Sequence, residues 1–127
     1  MSAILIDDDL YRWLVSGRRL TRGIAVASVD HLIGLKVRAY LDLHRRRSSG
    51  ERVDGRAVKK HRSDVLRLLQ LVTDQPLEGV PTAIRNDVMR FAAIVRDEAP
   101  DVKGLRLPFS NLTQPLVLLE RRYGGKE

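Results

Sequence analysis

At 127 residues, 43% hydrophobic and 31% charged, the chain is long enough for one domain with its own core and too apolar to be a disordered one. It contains no cysteine, which excludes disulfides, thiolate metal sites and cysteine nucleophiles. A net charge of +7 favours a polyanionic partner, nucleic acid first, while apolar runs of about five residues and an N-terminus without the basic-then-apolar form of a signal peptide predict a cytoplasmic protein with no membrane span.

Ala3-Ile4-Leu5-Ile6 reads as a short buried strand. Asp7-Asp8-Asp9 follows it. Three adjacent carboxylates suggest a metal, but acids before an apolar periodic segment fit a helix N-cap and the positive end of the helix dipole better, so no metal site is expected here. The helix predicted over 8–16 turns Leu10, Trp13 and Leu14 inward and ends at Gly17. Ile24-Ala25-Val26 is a second strand, opened by Gly23.

Ser28 caps a long helix whose apolar stripe is Val29, Leu32, Ile33, Val37, Tyr40 and Leu43. Gly34 inside it predicts a bend or a break. Ser48-Ser49-Gly50 stops it, and Asp54 caps the next helix. That helix carries Ala57, Val58, Val65, Leu68, Leu69 and Val72 on one face. After a turn at Thr73-Asp74-Gln75-Pro76, a third long helix runs from about Pro81 to Glu98, with Ile84, Val88, Phe91 and Val95 inward; Ala99-Pro100 ends it. A loop with Pro108 leads to a last helix with Leu112, Leu116, Leu119 and Tyr123, Thr113 and Pro115 in its opening turn and Gly124-Gly125 at its end.

The expected fold is therefore mainly α: about five helices and two short N-terminal strands. Two strands make no stable sheet unaided, so residues 1–27 read as a strand–helix–strand remnant of a larger α+β sheet, and residues 28–127 as a helical domain. An open strand edge at Ala3–Ile6 offers a route to a homo-oligomer.

Two features carry functional chemistry. On the first central helix Lys36 projects into the apolar stripe, at about 100° per residue; on the second, His61 lies inside the stripe and Asp64 at its edge. An amine and an acid on adjoining buried faces predict a polar site at the seam of two helices. The plain alternatives are a snorkelling lysine, an acid paired with Lys60 or Arg67 on its own helix, and a hydrogen-bonded core histidine. The second feature is a basic cluster. Arg45, Arg46, Arg47, Arg52, Arg56, Lys59, Lys60 and Arg62 hold eight of the 23 basic residues, all around the connection between these helices. They suit phosphate binding with steep salt dependence, or a solvated helix end. With six aromatics in the whole chain, a base-stacking platform is not expected.

The run Leu32-Ile33-Gly34-Leu35-Lys36-Val37-Arg38-Ala39-Tyr40, then Gly50-Glu51-Arg52-Val53-Asp54, then Lys59-Lys60-His61-Arg62-Ser63-Asp64-Val65, resembles the AbiEii-type nucleotidyltransferase family, which includes toxins of bacterial toxin–antitoxin systems. The likeness covers nearly the whole chain. It implies that Lys36 and Asp64 are catalytic-site residues, with Lys36, Lys60 and Arg67 on nucleotide phosphates. A lysine there neutralises charge on the transferred phosphoryl group, and an acid beside it keeps it positioned and protonated. It also implies a triphosphate and Mg²⁺ as cofactors, RNA such as tRNA as a substrate contacted by Arg46, Arg47, Arg52, Arg56, Lys59, Lys60 and Arg62, and an antitoxin as a protein partner. The family's metal-binding signature, a Gly-Ser or Gly-Gly turn followed by two alternating acids on a strand, does not occur in this sequence. The expectation is a C-terminal fragment or truncated relative that contributes nucleotide and RNA contacts, carries no cofactor alone and does not transfer nucleotides by itself. The alternative is a non-catalytic basic helical module that binds nucleic acid or a protein partner; a purely structural helical domain is the third.

Overall fold

A computed structural model describes residues 12–13, 18–21, 24–100 and 107–124, with 18–21 and 24–27 described by backbone alone. The described chain is mainly helical. Its order is β1 (Arg18–Thr21), β2 (Ile24–Ala27), α1 (Val29–Ser48), α2 (Gly55–Leu68), a 3-10 turn (Leu69–Leu71), α3 (Thr82–Glu98) and α4 (Thr113–Tyr123).

Four α-helices are thus described where the sequence predicts five. The Ala3–Ile6 strand, the Asp7–Asp9 run and most of the first predicted helix lie outside the described residues; Arg12 and Trp13 are helical. β2 coincides with the predicted Ile24–Val26 strand, but its neighbour is β1, in an antiparallel hairpin with Arg18 opposite Ala27 and Thr21 opposite Ile24. Sequence reading places no strand over 18–21.

Local chemistry sets the helix ends. The Ser28 side chain accepts from the His31 N–H at 3.3 Å, and that of Asp54 accepts from the Arg56 N–H at 2.9 Å, each satisfying an otherwise orphaned donor in the first turn. At α4, Asn111 Oδ1 accepts from the Gln114 N–H at 3.1 Å while Gln114 Oε1 accepts from the Ser110 N–H at 2.8 Å, a reciprocal arrangement like a capping box. α3 ends at Ala99, in the left-handed region at φ 47°, directly before Pro100.

α1 packs on α2 and α3, and α4 on α3 and the 3-10 turn. The predicted stripes meet in one core: Ile33, Val37 and Tyr40 of α1, Val65 of α2, Val88, Phe91 and Val95 of α3, and Leu116, Leu119 and Tyr123 of α4 are fully buried. Tyr40 and Phe91 meet edge to face with ring centroids 5.1 Å apart, the favoured aromatic geometry.

Gly34 does not break α1, which runs through it unbroken. Its role is close packing. A Cβ there would lie 2.6 Å from Trp13 Cη2 and 2.8 Å from Cζ3, so the indole ring edge occupies the space that a side chain would take. Periodicity reads a helical glycine as a weak point; here the glycine makes room for a distant ring.

Candidate functional site

The predicted polar seam forms. Lys36 reaches from α1 to Asp64 on α2, with Nζ 3.1 Å from Oδ2. Lys60, one turn earlier on α2, places its Nζ 3.0 Å from the same oxygen, and Arg67 Nη1 stands 4.0 Å from Oδ1. One carboxylate therefore holds three cations. Burial pushes the Asp64 carboxyl up, but hydrogen bonds from Lys60 and Lys36 outweigh it and hold the group below its ordinary range. The pair is partly exposed, 31% for Lys36 and 21% for Asp64. Such a bridge contributes less than about 1 kcal/mol to stability, so its significance is positional.

His61 lies against this cluster. Its Nδ1 is buried and, among the described residues, has no hydrogen-bond partner. Burial, then the charge of Lys36, pushes its pKa below the ordinary 6.5, with Asp64 opposing. The imidazole is thus neutral near pH 7.

What this arrangement can do chemically is bounded by Asp64. A phosphate approaching Lys36 or Lys60 must compete with a carboxylate that already holds both. The same carboxylate, shared among three cations, is a poor ligand for Mg²⁺, and among the described residues no group of three or more His, Asp or Glu side chains is placed to hold a metal ion. The described residues therefore do not fit the metal that the family resemblance implies.

The basic cluster divides into two sets. Arg45 and Arg46 pair with Asp42 at 3.1 and 3.2 Å, Arg56 with Asp54 at 3.6 Å, and Lys60 with Asp64. Arg62 turns inward, with its side chain 16% exposed and Nη1 3.6 Å from Glu98. Glu98 also accepts a hydrogen bond from Tyr40, so this arginine belongs to a partly buried tie among α1, α2 and α3. Arg47, Arg52 and Lys59 are exposed and, among the described residues, have no ion-pair partner. Arg47 leaves the end of α1 and lies over the start of α2, its Nη1 3.8 Å from where a Cβ of Gly55 would be. The three thus line one corner of the helix pair.

Two features escape the sequence reading. Arg122 of α4 joins Asp30 of α1 and the carbonyls of Thr73 and Gln75, which ties both ends of the chain's helical part together. A groove of about 780 Å³ opens beyond the far end of α2, lined by Thr73, Asp74, Phe109, Gln114, Leu118 and Arg121 among others. None of the predicted site residues lines it. Neither has a local signal, because each depends on segments far apart in sequence. No helix among the described residues is long and apolar enough to cross a membrane. No protein-family model, curated protein or solved structure matches the chain.

Proposed function

We propose that the chain is a non-catalytic, basic helical module that binds nucleic acid through its phosphates. The observation that carries this reading is the set of exposed cations Arg47, Arg52 and Lys59, which have no ion-pair partner among the described residues, at the corner where α1 hands over to α2. Unpaired cations gain most from a phosphate, because they give up no existing partner and release the phosphate's condensed counterions. A mobility-shift assay with labelled RNA tests it. A complex that dissolves with added salt and is lost in Arg47→Glu/Arg52→Glu/Lys59→Glu supports the reading. An absence of any shift at low salt refutes it.

A second reading is favoured by a different observation, the 3.1 Å contact of Lys36 with Asp64. In that reading the chain is the phosphate-contacting part of an AbiEii-type nucleotidyltransferase-like protein, acting in the cytoplasm with tRNA or another RNA, a triphosphate and an antitoxin, and pairing with a second copy through its N-terminal strand edge. Lys36, Lys60 and Arg67 then contact the triphosphate and Asp64 positions Lys36. Titration with a fluorescent triphosphate tests it: binding that is abolished by Lys36→Ala supports it, and binding unchanged in that variant removes it.

A further inference from the structure

We infer that the groove beyond the far end of α2 is a second binding surface, which takes an extended, uncharged segment of a partner protein and holds it by its backbone carbonyls. The apolar part of its lining is Phe109 with Val117 and Leu118 of α4, all partly buried. Its volume of about 780 Å³ lies within the range of about 300–1,000 Å³ typical of ligand clefts. Leu71, 64% exposed, is the more exposed of the two large hydrophobic residues found at the surface among the described residues. It stands two residues before Thr73 of the lining, within about 7 Å at about 3.5 Å per residue, so exposed apolar surface lies beside the groove.

The polar groups decide what the occupant is. Asn111 Oδ1 accepts from the Gln114 N–H, and Gln114 Oε1 accepts from the Ser110 N–H. A backbone N–H donates only to an oxygen, so these two bonds fix which end of each amide is which. The NH₂ ends, Asn111 Nδ2 and Gln114 Nε2, have no hydrogen-bond partner among the described residues. Two neutral donors are thus offered beside apolar side chains. The charged residues of the lining, Asp74 and Arg121, face each other at 3.3 Å and cancel. In a chain of net charge +7 this lining is neutral, so it gives a polyanion no foothold, and Asp74 repels an approaching phosphate. Neutral donors over apolar side chains are complemented by a neutral acceptor on an apolar body. An extended peptide supplies both, because its carbonyls recur along the backbone while alternate side chains fall on one face. A small carbonyl compound satisfies the two amides and leaves the Leu71 surface bare.

The test selects a library of random linear peptides, displayed on phage, against the immobilised full chain. An enriched peptide, blocked at both ends and labelled, is then followed by fluorescence anisotropy. The expected result is enrichment of sequences without charged residues and with apolar residues at alternate positions, bound with an affinity that added salt leaves unchanged. Asn111→Asp and Gln114→Glu keep the oxygen that serves the start of α4 and replace only the NH₂ donor, and an acid in the first turn suits the helix dipole. Thermal melting is therefore retained, while each variant weakens the peptide by about tenfold, since one hydrogen bond is lost and a carboxylate now opposes the carbonyl. Arg47→Glu/Arg52→Glu/Lys59→Glu leaves peptide binding unchanged, which separates this surface from the nucleic-acid corner. An absence of enrichment overturns the inference, as does enrichment of acidic peptides whose binding fades with salt. Peptide affinity unaltered in Asn111→Asp/Gln114→Glu, with the fold retained by circular dichroism, overturns the assignment to the groove.

Discussion

Arg122 lays its guanidinium fork across the carboxylate of Asp30, with Nε 2.6 Å from Oδ1 and Nη2 2.8 Å from Oδ2. The same side chain donates to the carbonyls of Thr73 and Gln75, each at 3.1 Å, and the next residue, Tyr123, donates its hydroxyl to the Asp30 carbonyl at 2.6 Å. The last helix is thereby pinned to the first turn of α1 and to the turn after α2. Lysine cannot reproduce a two-pronged contact. Arg122→Lys is expected to lower stability by about 2 kcal/mol, less than a fully buried pair because both partners retain some exposure. Urea unfolding of the two proteins measures it.

The contact of Gly34 with Trp13 makes an opposite forecast from helix propensity. On propensity alone, Gly34→Ala stabilises α1 by about 1 kcal/mol. A Cβ 2.6 Å from the indole forces the ring out of its place, and overpacking of that kind costs about 1–3 kcal/mol. The variant is expected to be less stable than the parent. Because Trp13 is the single tryptophan, its emission reports the displacement directly, moving to longer wavelength as the ring gains water. Unchanged emission with raised stability contradicts the packing account.

His61 reports on the polar seam. Its pKa lies below 6.5 through burial and then Lys36, while Asp64 acts upward. Lys36→Met therefore raises the pKa of His61, and Asp64→Asn lowers it further; NMR titration of the imidazole resolves both. The sign for stability follows. The unfolded chain takes up a proton near 6.5 that the folded chain declines, so folding stability is full above that pH and falls as pH drops from 6.5 towards the folded value. A second loss follows below the ordinary carboxylate pKa of 3.8, as the held Asp64 is protonated. His61→Asn flattens the first step.

The tyrosines supply an alkaline counterpart. Burial, and after it the hydrogen bond to Glu98, raises the Tyr40 phenol well above its ordinary 10.0; burial and the neighbouring Asp30 do the same for Tyr123. In a titration followed by phenolate absorbance, these two phenols stay silent until the chain unfolds. Raised folded-state values mean that stability is present below pH 10 and lost as pH climbs above it. Phenolate appearing from either residue near pH 10 in the folded protein contradicts this. Tyr40→Phe, which removes the hydroxyl and keeps the ring, is expected to cost about 1 kcal/mol by leaving Glu98 with Arg62 alone.

Much of this fold is legible before any coordinates. Ser28 and Asp54 cap their helices because a short polar side chain finds the first-turn N–H groups two or three residues away, a purely local event. Ile33, Val37, Val88, Phe91 and Leu119 are buried because their spacing repeats the helix period. The Lys36–Asp64 contact is half-legible. Each residue interrupts an apolar stripe, and two stripes on successive helices joined by a short connection face each other.

The rest needed the tertiary arrangement. A glycine's spacing cannot say that a ring from residue 13 fills its empty side, nor can a run of arginines say that Arg62 turns in to Glu98 while Arg47, Arg52 and Lys59 have no ion-pair partner among the described residues. Sequence alone determined the four described helices, the Ser28 and Asp54 caps and which faces are apolar, since these are set by interactions within a few residues. Which charges are neutralised, which glycine admits a ring and which ends of the chain are tied were decided only when distant segments came together, because those energies depend on distances that no local period encodes.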